Sequence, residues 1–243
     1  MGTAPGGSRV VVARANLRGF RGLTFDGFGA LLEGGPHQLP SVIERLFRDQ
    51  GRAVDRSARD AWRRSVQRQF AANVFVAFRD LHRTSFQEMF DRFGLRGDLD
   101  ACVDDAFDQY SRARAYPEVA SVLHELEKEV ALAVVSNIDT MLLLEALHNN
   151  GLRFTFVITS EEEQRYKPAP SIFQRAIRYL GLPAANVLHV GDSFEEDVVG
   201  ARAVGMGALL MERSSEAKTP GLTDRTVVRN LREVRDFVRR SWE

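Results

Sequence analysis

The sequence predicts an α/β protein: a Rossmann-like parallel sheet flanked by helices, with an inserted all-helical cap. Three observations carry this reading. From about residue 117, apolar strand-like runs alternate with helical spacings, the rhythm of a parallel sheet covered on both faces. Residues 39–110 keep a helical pattern throughout. Ahead of that block stands one isolated apolar run, Leu23-Thr24-Phe25, which stops at Asp26 and breaks into the turn Gly27-Phe28-Gly29-Ala30.

Taken in order, the first run reads as a buried strand delivering Asp26 to the C-terminal edge of the sheet, where open α/β folds place their chemistry. In the helical block, Pro40-Ser41 reads as a helix start with Val42, Leu46 and Phe47 on one face. Trp62, Val66 and Phe70, then Phe75, Phe78 and Leu81, continue an apolar stripe. A further helix is expected to start at Thr84-Ser85 and to carry Met89, Phe90 and Phe93; stripes at this spacing are core. Beyond Tyr116-Pro117 come a strand at 130–135, a helix at 141–147, a strand at 156–159 and a helix around 172–180. A strand at 187–190, a helix from about 194 to 204 and a strand at 207–211 complete five strands. The expected organisation is a loose tail over 1–17, a core over 18–35 and 115–243, and a cap over 36–114. A polar stretch at 214–218 is the other low-complexity segment, and no internal repeat is evident.

Composition narrows the function classes. In 243 residues, 33 basic side chains balance 33 acidic ones, so bulk charge points to neither nucleic acid nor an anionic membrane. No apolar run approaches the ~18 residues of a membrane span. The single cysteine, Cys102, has no partner for an intramolecular disulfide, which suggests a reducing, cytoplasmic setting. Lysine stands only at 128, 167 and 218, which leaves Lys167 nearly the only amine available for chemistry.

Four strand-end signals fall in order: Asp26; Ser136-Asn137; Lys167 in Arg165-Tyr166-Lys167-Pro168; and Gly191-Asp192-Ser193-Phe194-Glu195-Glu196-Asp197. Each alone is ordinary turn or capping chemistry. Side by side at one sheet edge, they bring together a carboxylate, a hydroxyl, an ammonium and an acidic pair. Asp26 can attack, Ser136 and nearby backbone can donate to an anion, and Lys167 can neutralise charge. Asp192 and Asp197 supply the oxygen ligands a hard cation prefers.

This ordered set resembles the haloacid dehalogenase superfamily, in its branch with a helical cap inserted after the first motif. The resemblance covers residues 18–213. It implies Asp26 as the motif I nucleophile, Ser136 as motif II, Lys167 as motif III, and Asp192 with Asp197 as motif IV. It further implies Mg²⁺ held by Asp26, by the backbone carbonyl of Phe28 and by Asp192, with Asp197 supporting. Gly27 and Asn137, beside the nucleophile and the hydroxyl, are the substrate-binding positions. The implied substrate is a small phosphorylated or otherwise anionic molecule, with no nucleic acid or membrane partner; the sequence is silent on oligomeric state.

Motif I departs from the family pattern. Phosphatases of the family read Asp-x-Asp-Gly-Thr, whereas this chain has Phe28 for the second aspartate and Ala30 for the threonine. The lost acid is worth about 10²–10⁴-fold in rate. His37, just beyond the motif, is a candidate replacement, although a lone loop histidine is more often solvated. Phe28 also suits a metal-independent 2-haloacid dehalogenase, whose halide leaves without a proton. Acidic motif IV and Phe173, where dehalogenases carry tyrosine, lean towards a phosphohydrolase. The cap has no lysine, which closes the Schiff-base route of phosphonoacetaldehyde hydrolase. A third reading is a degenerate member that binds a ligand or partner without turnover. Cap arginines Arg63, Arg64 and Arg68 are candidates to reach a substrate anion or, more simply, a solvated helix face.

Overall fold

A computed structural model describes residues 19–72, 74–213 and 226–243. The expected tail over 1–17 and the polar stretch at 214–218 lie outside the described residues. The described residues open with β1 (Gly22–Phe25), followed by α1 (Ser41–Asp49), α2 (Arg56–Phe70), α3 (Phe78–Phe93) and α4 (Leu99–Ser111). Then come α5 (Val119–Leu126), β2 (Ala131–Ser136), α6 (Thr140–Asn149), β3 (Phe156–Thr159), the short α7 (Ser160–Glu163) and α8 (Pro170–Leu180). The chain ends with β4 (Val187–Gly191), α9 (Gly200–Ala203), β5 (Gly207–Met211), β6 (Val227–Val228) and α10 (Leu231–Arg240).

Among the described residues, six strands are all parallel in the order β3-β2-β1-β4-β5-β6. Strand order reverses at β1, so the ends of β1 and β4 flank the crevice where open α/β sheets bind ligands. Alternate strand residues feed two apolar layers. Val134, Leu188 and Val190 pack with α5, α6 and α10 on one side. Ala133, Val135 and Val187 pack with Ile172, Phe173 and Ala176 of α8 and Ala201 of α9 on the other. Helix α8 starts with Pro170 in its first turn and stops at Gly181, whose φ of +65° suits the glycine-favoured left-handed cap.

The inserted helices share the first of these layers. Trp62, Phe78, Leu81 and Phe86 are fully buried beside Phe28, Leu31 and Leu32 of the motif I turn. Between α3 and α4, His82 Nδ1 donates to the Phe78 carbonyl at 2.9 Å, which leaves Nε2 to accept from the Tyr110 hydroxyl at 2.8 Å. Burial pushes His82 down to about 4, so this ring is neutral.

Three expectations need correction. Thr84-Ser85 does not start a helix; α3 runs through it, because Phe78, Leu81, Phe86 and Met89 form one buried face. A sixth strand, β6, extends the predicted five. The expected helix at 194–204 opens as a wide π-type turn over Phe194–Val199, capped by the Ser193 side chain, and only then becomes α9. Among the described residues, no helix is long and apolar enough to cross a membrane.

Candidate active site

Asp26 follows β1 directly, and its backbone N–H donates to Val190 of β4, which draws the two strand ends together. One carboxylate oxygen, Oδ1, collects three donors: Ser136 Oγ at 2.7 Å, Gly27 N at 2.8 Å and Lys167 Nζ at 2.9 Å. These bonds fix the side chain and leave its second oxygen unengaged by them. Burial raises the Asp26 pKa, Asp197 adds to the rise, and Lys167 and Ser136 oppose it.

Lys167 is fully buried and bridges two carboxylates, with Nζ 2.6 Å from Asp197 Oδ1 as well as 2.9 Å from Asp26. Burial alone would lower its pKa; Asp197 and Asp26 outweigh that and hold the ammonium charged. Asp197 has further partners. Its Oδ1 also meets His189 Nε2 at 3.0 Å, and its Oδ2 accepts from Ser193 N at 2.9 Å. Burial would raise its pKa, but Lys167 and His189 hold it well below the usual carboxylate range. The relay continues through His189 Nδ1 to Thr24 Oγ1 at 2.8 Å. Sequence reasoning missed Thr24 and His189. The available signal was two polar residues inside buried strands, which the β1–β4 register sets side by side.

Asn137 organises the loop that carries the lysine. Its Oδ1 accepts from Lys167 N at 2.6 Å, and its Nδ2 donates to the Lys167 carbonyl at 3.2 Å and to Glu196 Oε2 at 3.0 Å. Glu196, also missed, contacts His37 Nε2 at 2.7 Å through its other oxygen. That contact pairs Nε2 with a carboxylate, while His37 Nδ1 has no hydrogen-bond partner. Burial would lower the His37 pKa, but Glu196, with Asp192 and Asp26 behind it, raises it. His37 is therefore not a solvated loop residue. Its ring meets Phe70 of α2 edge-on at 5.6 Å, and the Trp62 indole donates to the neighbouring Pro36 carbonyl at 2.9 Å.

Asp192 opens onto the cleft while protein surrounds it on its other sides. That partial desolvation, with Asp26 and Asp197 nearby, raises its pKa well above the ordinary value, against His37 and Lys167. Its carboxylate rests where a side chain on Gly29 would stand: a β-carbon there would lie 2.1 Å from Oδ2, and φ at Gly29 is +80°. Oxygens of Asp26, Asp192 and Asp197 lie within 4.8 Å of one another. Three carboxylates against one ammonium, two of them resisting ionisation, form a donor set that suits a hard cation. Asp197 makes three contacts of its own within this group, to Lys167, His189 and Ser193.

The turn after Asp26 closes through Leu32 N to Gly27 O and Gly29 N to Leu32 O, bonds that do not use the Phe28 carbonyl. In place of the hydroxyl absent at Ala30, the Arg213 guanidinium donates to the Ala30 carbonyl, pairs with Glu118 and lies 3.8 Å over the Tyr116 ring. The Phe28 side chain is buried against Tyr110 of α4, edge-on at 5.5 Å. Asp26, Phe28, His37, Ser136, Asp192 and Glu196 line one cavity of about 20 Å³, room for a single water. Beside it lies a cavity of about 620 Å³ that shares His37 and Asp192 and adds Gly29, Arg63, Gln67 and Arg213. Arg68 instead pairs with Glu88 on the cap surface.

A family model described as haloacid dehalogenase-like hydrolase matches residues 20–205. The chain belongs to the haloacid dehalogenase-like hydrolases. Within that family it is 40% identical over 88 residues to haloacid dehalogenase-like hydrolase domain-containing protein 3 of Danio rerio, covering 35% of this chain and 36% of that protein. It is 34% identical over 112 residues to ribulose-1,5-bisphosphate 5-phosphatase of Halopiger xanaduensis, covering 45% of this chain and 47% of that one. The chain thus spans roughly a third to a half of the length of these relatives. Among solved haloacid dehalogenase-like folds, L-2-haloacid dehalogenase from Xanthobacter autotrophicus superposes with a TM-score of 0.74 at 22% identity, over 90% of this chain and 98% of that one.

Proposed function

We propose that this hydrolase is a Mg²⁺-dependent phosphohydrolase that acts on a small phosphorylated metabolite through an aspartyl-phosphate at Asp26. The observation that carries the reading is the triple anchoring of Asp26 Oδ1 by Ser136, Gly27 and Lys167. It orients the carboxylate for attack and sets a hydroxyl, an amide and an ammonium beside any oxyanion transferred to it. Asp192, the Phe28 carbonyl and Asp26 would hold Mg²⁺, which supplies neutralisation of the phosphoryl oxygens. Lys167 stays charged through the reaction because Asp197 backs it. Gly27 and Asn137 shape the phosphate seat. We take residues 36–114 as a cap over a core of 18–35 and 115–243. We place the protein in the cytoplasm, on the strength of its single buried cysteine. The similarity to a ribulose-bisphosphate phosphatase supports the phosphate class.

The deciding assay compares alkyl, aryl and acyl phosphates with and without Mg²⁺, in wild type and Asp26→Asn. Metal-dependent phosphate release that Asp26→Asn abolishes is expected. Phe28 favours a second reading, carbon–halogen hydrolysis. Chloride released from 2-chloropropionate without metal, with no phosphate released from any ester, would replace the first reading with the second.

A further inference from the structure

We propose that His37 is the proton donor and acceptor that replaces the carboxylic acid missing at position 28. The inference rests on the phosphohydrolase reading above. The family position for this acid is filled by Phe28, whose ring is committed to Tyr110 in the apolar seam between core and helices. Only one imidazole lines the cavity that Asp26 and Phe28 share, and it is His37. Three contacts hold it there: Phe70 edge-on, Glu196 at 2.7 Å, and Trp62 through the Pro36 carbonyl. Glu196 is itself fixed by Asn137, the residue that brackets Lys167, so the histidine is tied to the same frame as the nucleophile. Glu196 engages Nε2, and Nδ1 lacks a hydrogen-bond partner. A ring held by a carboxylate at Nε2 and by Phe70 on its edge keeps Nδ1 for a bond to a bound substrate. His37 also borders the larger cavity, where the group leaving phosphorus has room.

The steps balance. The Asp26 carboxylate attacks phosphorus, the bond from phosphorus to the leaving oxygen breaks, and that oxygen keeps the electron pair and takes the imidazolium proton. Water then attacks the aspartyl-phosphate as neutral His37 accepts a proton from it. The Asp26–phosphorus bond breaks, inorganic phosphate departs, and both Asp26 and the imidazolium are restored. Glu196 is the positioning residue for the ring.

The test compares wild type with His37→Asn and His37→Gln on an alkyl phosphate and on acetyl phosphate. A missing acid should cost about 10²-fold or more with the alkyl leaving group and under about tenfold with the acyl one, which needs little protonation. Because the second step also loses its base, acid-quenched variants given acetyl phosphate should carry one extra phosphoryl mass, absent in Asp26→Asn. Equal losses on both substrates, with no trapped phosphoryl group, overturn the role of His37 while wild-type turnover leaves the phosphohydrolase reading standing. A wild type that releases phosphate from neither substrate overturns both. Unchanged circular dichroism in either variant establishes that it folds, and one folded variant suffices.

Discussion

Asp192 and Asp26 illustrate how much of this site is held against its own preference. Both carboxyls titrate above their unfolded value, so the folded state binds their protons more tightly than the unfolded chain does. The stability they contribute is complete below an unfolded pKa of about 3.9 and is lost as pH rises through the folded value. With metal chelated, Asp192→Asn should therefore melt higher than wild type at pH 7, and the difference should close towards pH 4. Mg²⁺ is expected to raise the melting temperature of wild type and not that of this variant. Thermal melts with EDTA or Mg²⁺ across this range check both parts; a variant less stable than wild type at pH 7 without metal would contradict the first. Asp197 has the opposite sign, because Lys167 and His189 stabilise its charged form. Its contribution is present above the unfolded pKa and is lost only in strong acid.

At the scale of elements, the seam between the motif I turn and the inserted helices depends on one forced tautomer. Because the Phe78 carbonyl only accepts, His82 must donate from Nδ1, and Tyr110 must donate to Nε2. Tyr110→Phe keeps the edge contact with Phe28 but strands a buried acceptor, and should cost about 1–3 kcal/mol in urea denaturation. A cost near zero would show that the ring had found another partner. The strands here were legible because a parallel sheet buried on both faces needs continuous apolar runs. The sheet-edge placement of Asp26 followed from the run that stops there. Residue pairs such as His37 with Glu196 were illegible. They meet only because the loop after β1 folds back between α2 and the turn after β4, and neither residue's local sequence records that approach. The π-type turn at Phe194–Val199 was hidden for a related reason: Ser193 caps it as it would an ordinary helix. Strand β6, two residues long, is too short to show a period.

For the molecule as a whole, the reversal of strand order at β1 explains why residues 26, 136, 167 and 192 converge although up to 166 positions separate them. The loop at residues 34–38 then covers that edge so closely that the cavity beside Asp26 admits one water. Substrate entry therefore requires the loop with His37 to move, a motion that also excludes solvent once the ligand is bound. The central claim is that Asp26 accepts a phosphoryl group with a cation beside it. Beryllium fluoride with Mg²⁺ mimics that state without turnover, so it isolates the site from the question of the acid. At a hundredfold excess over Kd, binding stabilises by about 2.7 kcal/mol, roughly 5–10 °C for a chain of this size. That rise in Tm is expected for wild type and none for Asp26→Asn. No rise in wild type, or an equal rise in the variant, would contradict the central claim.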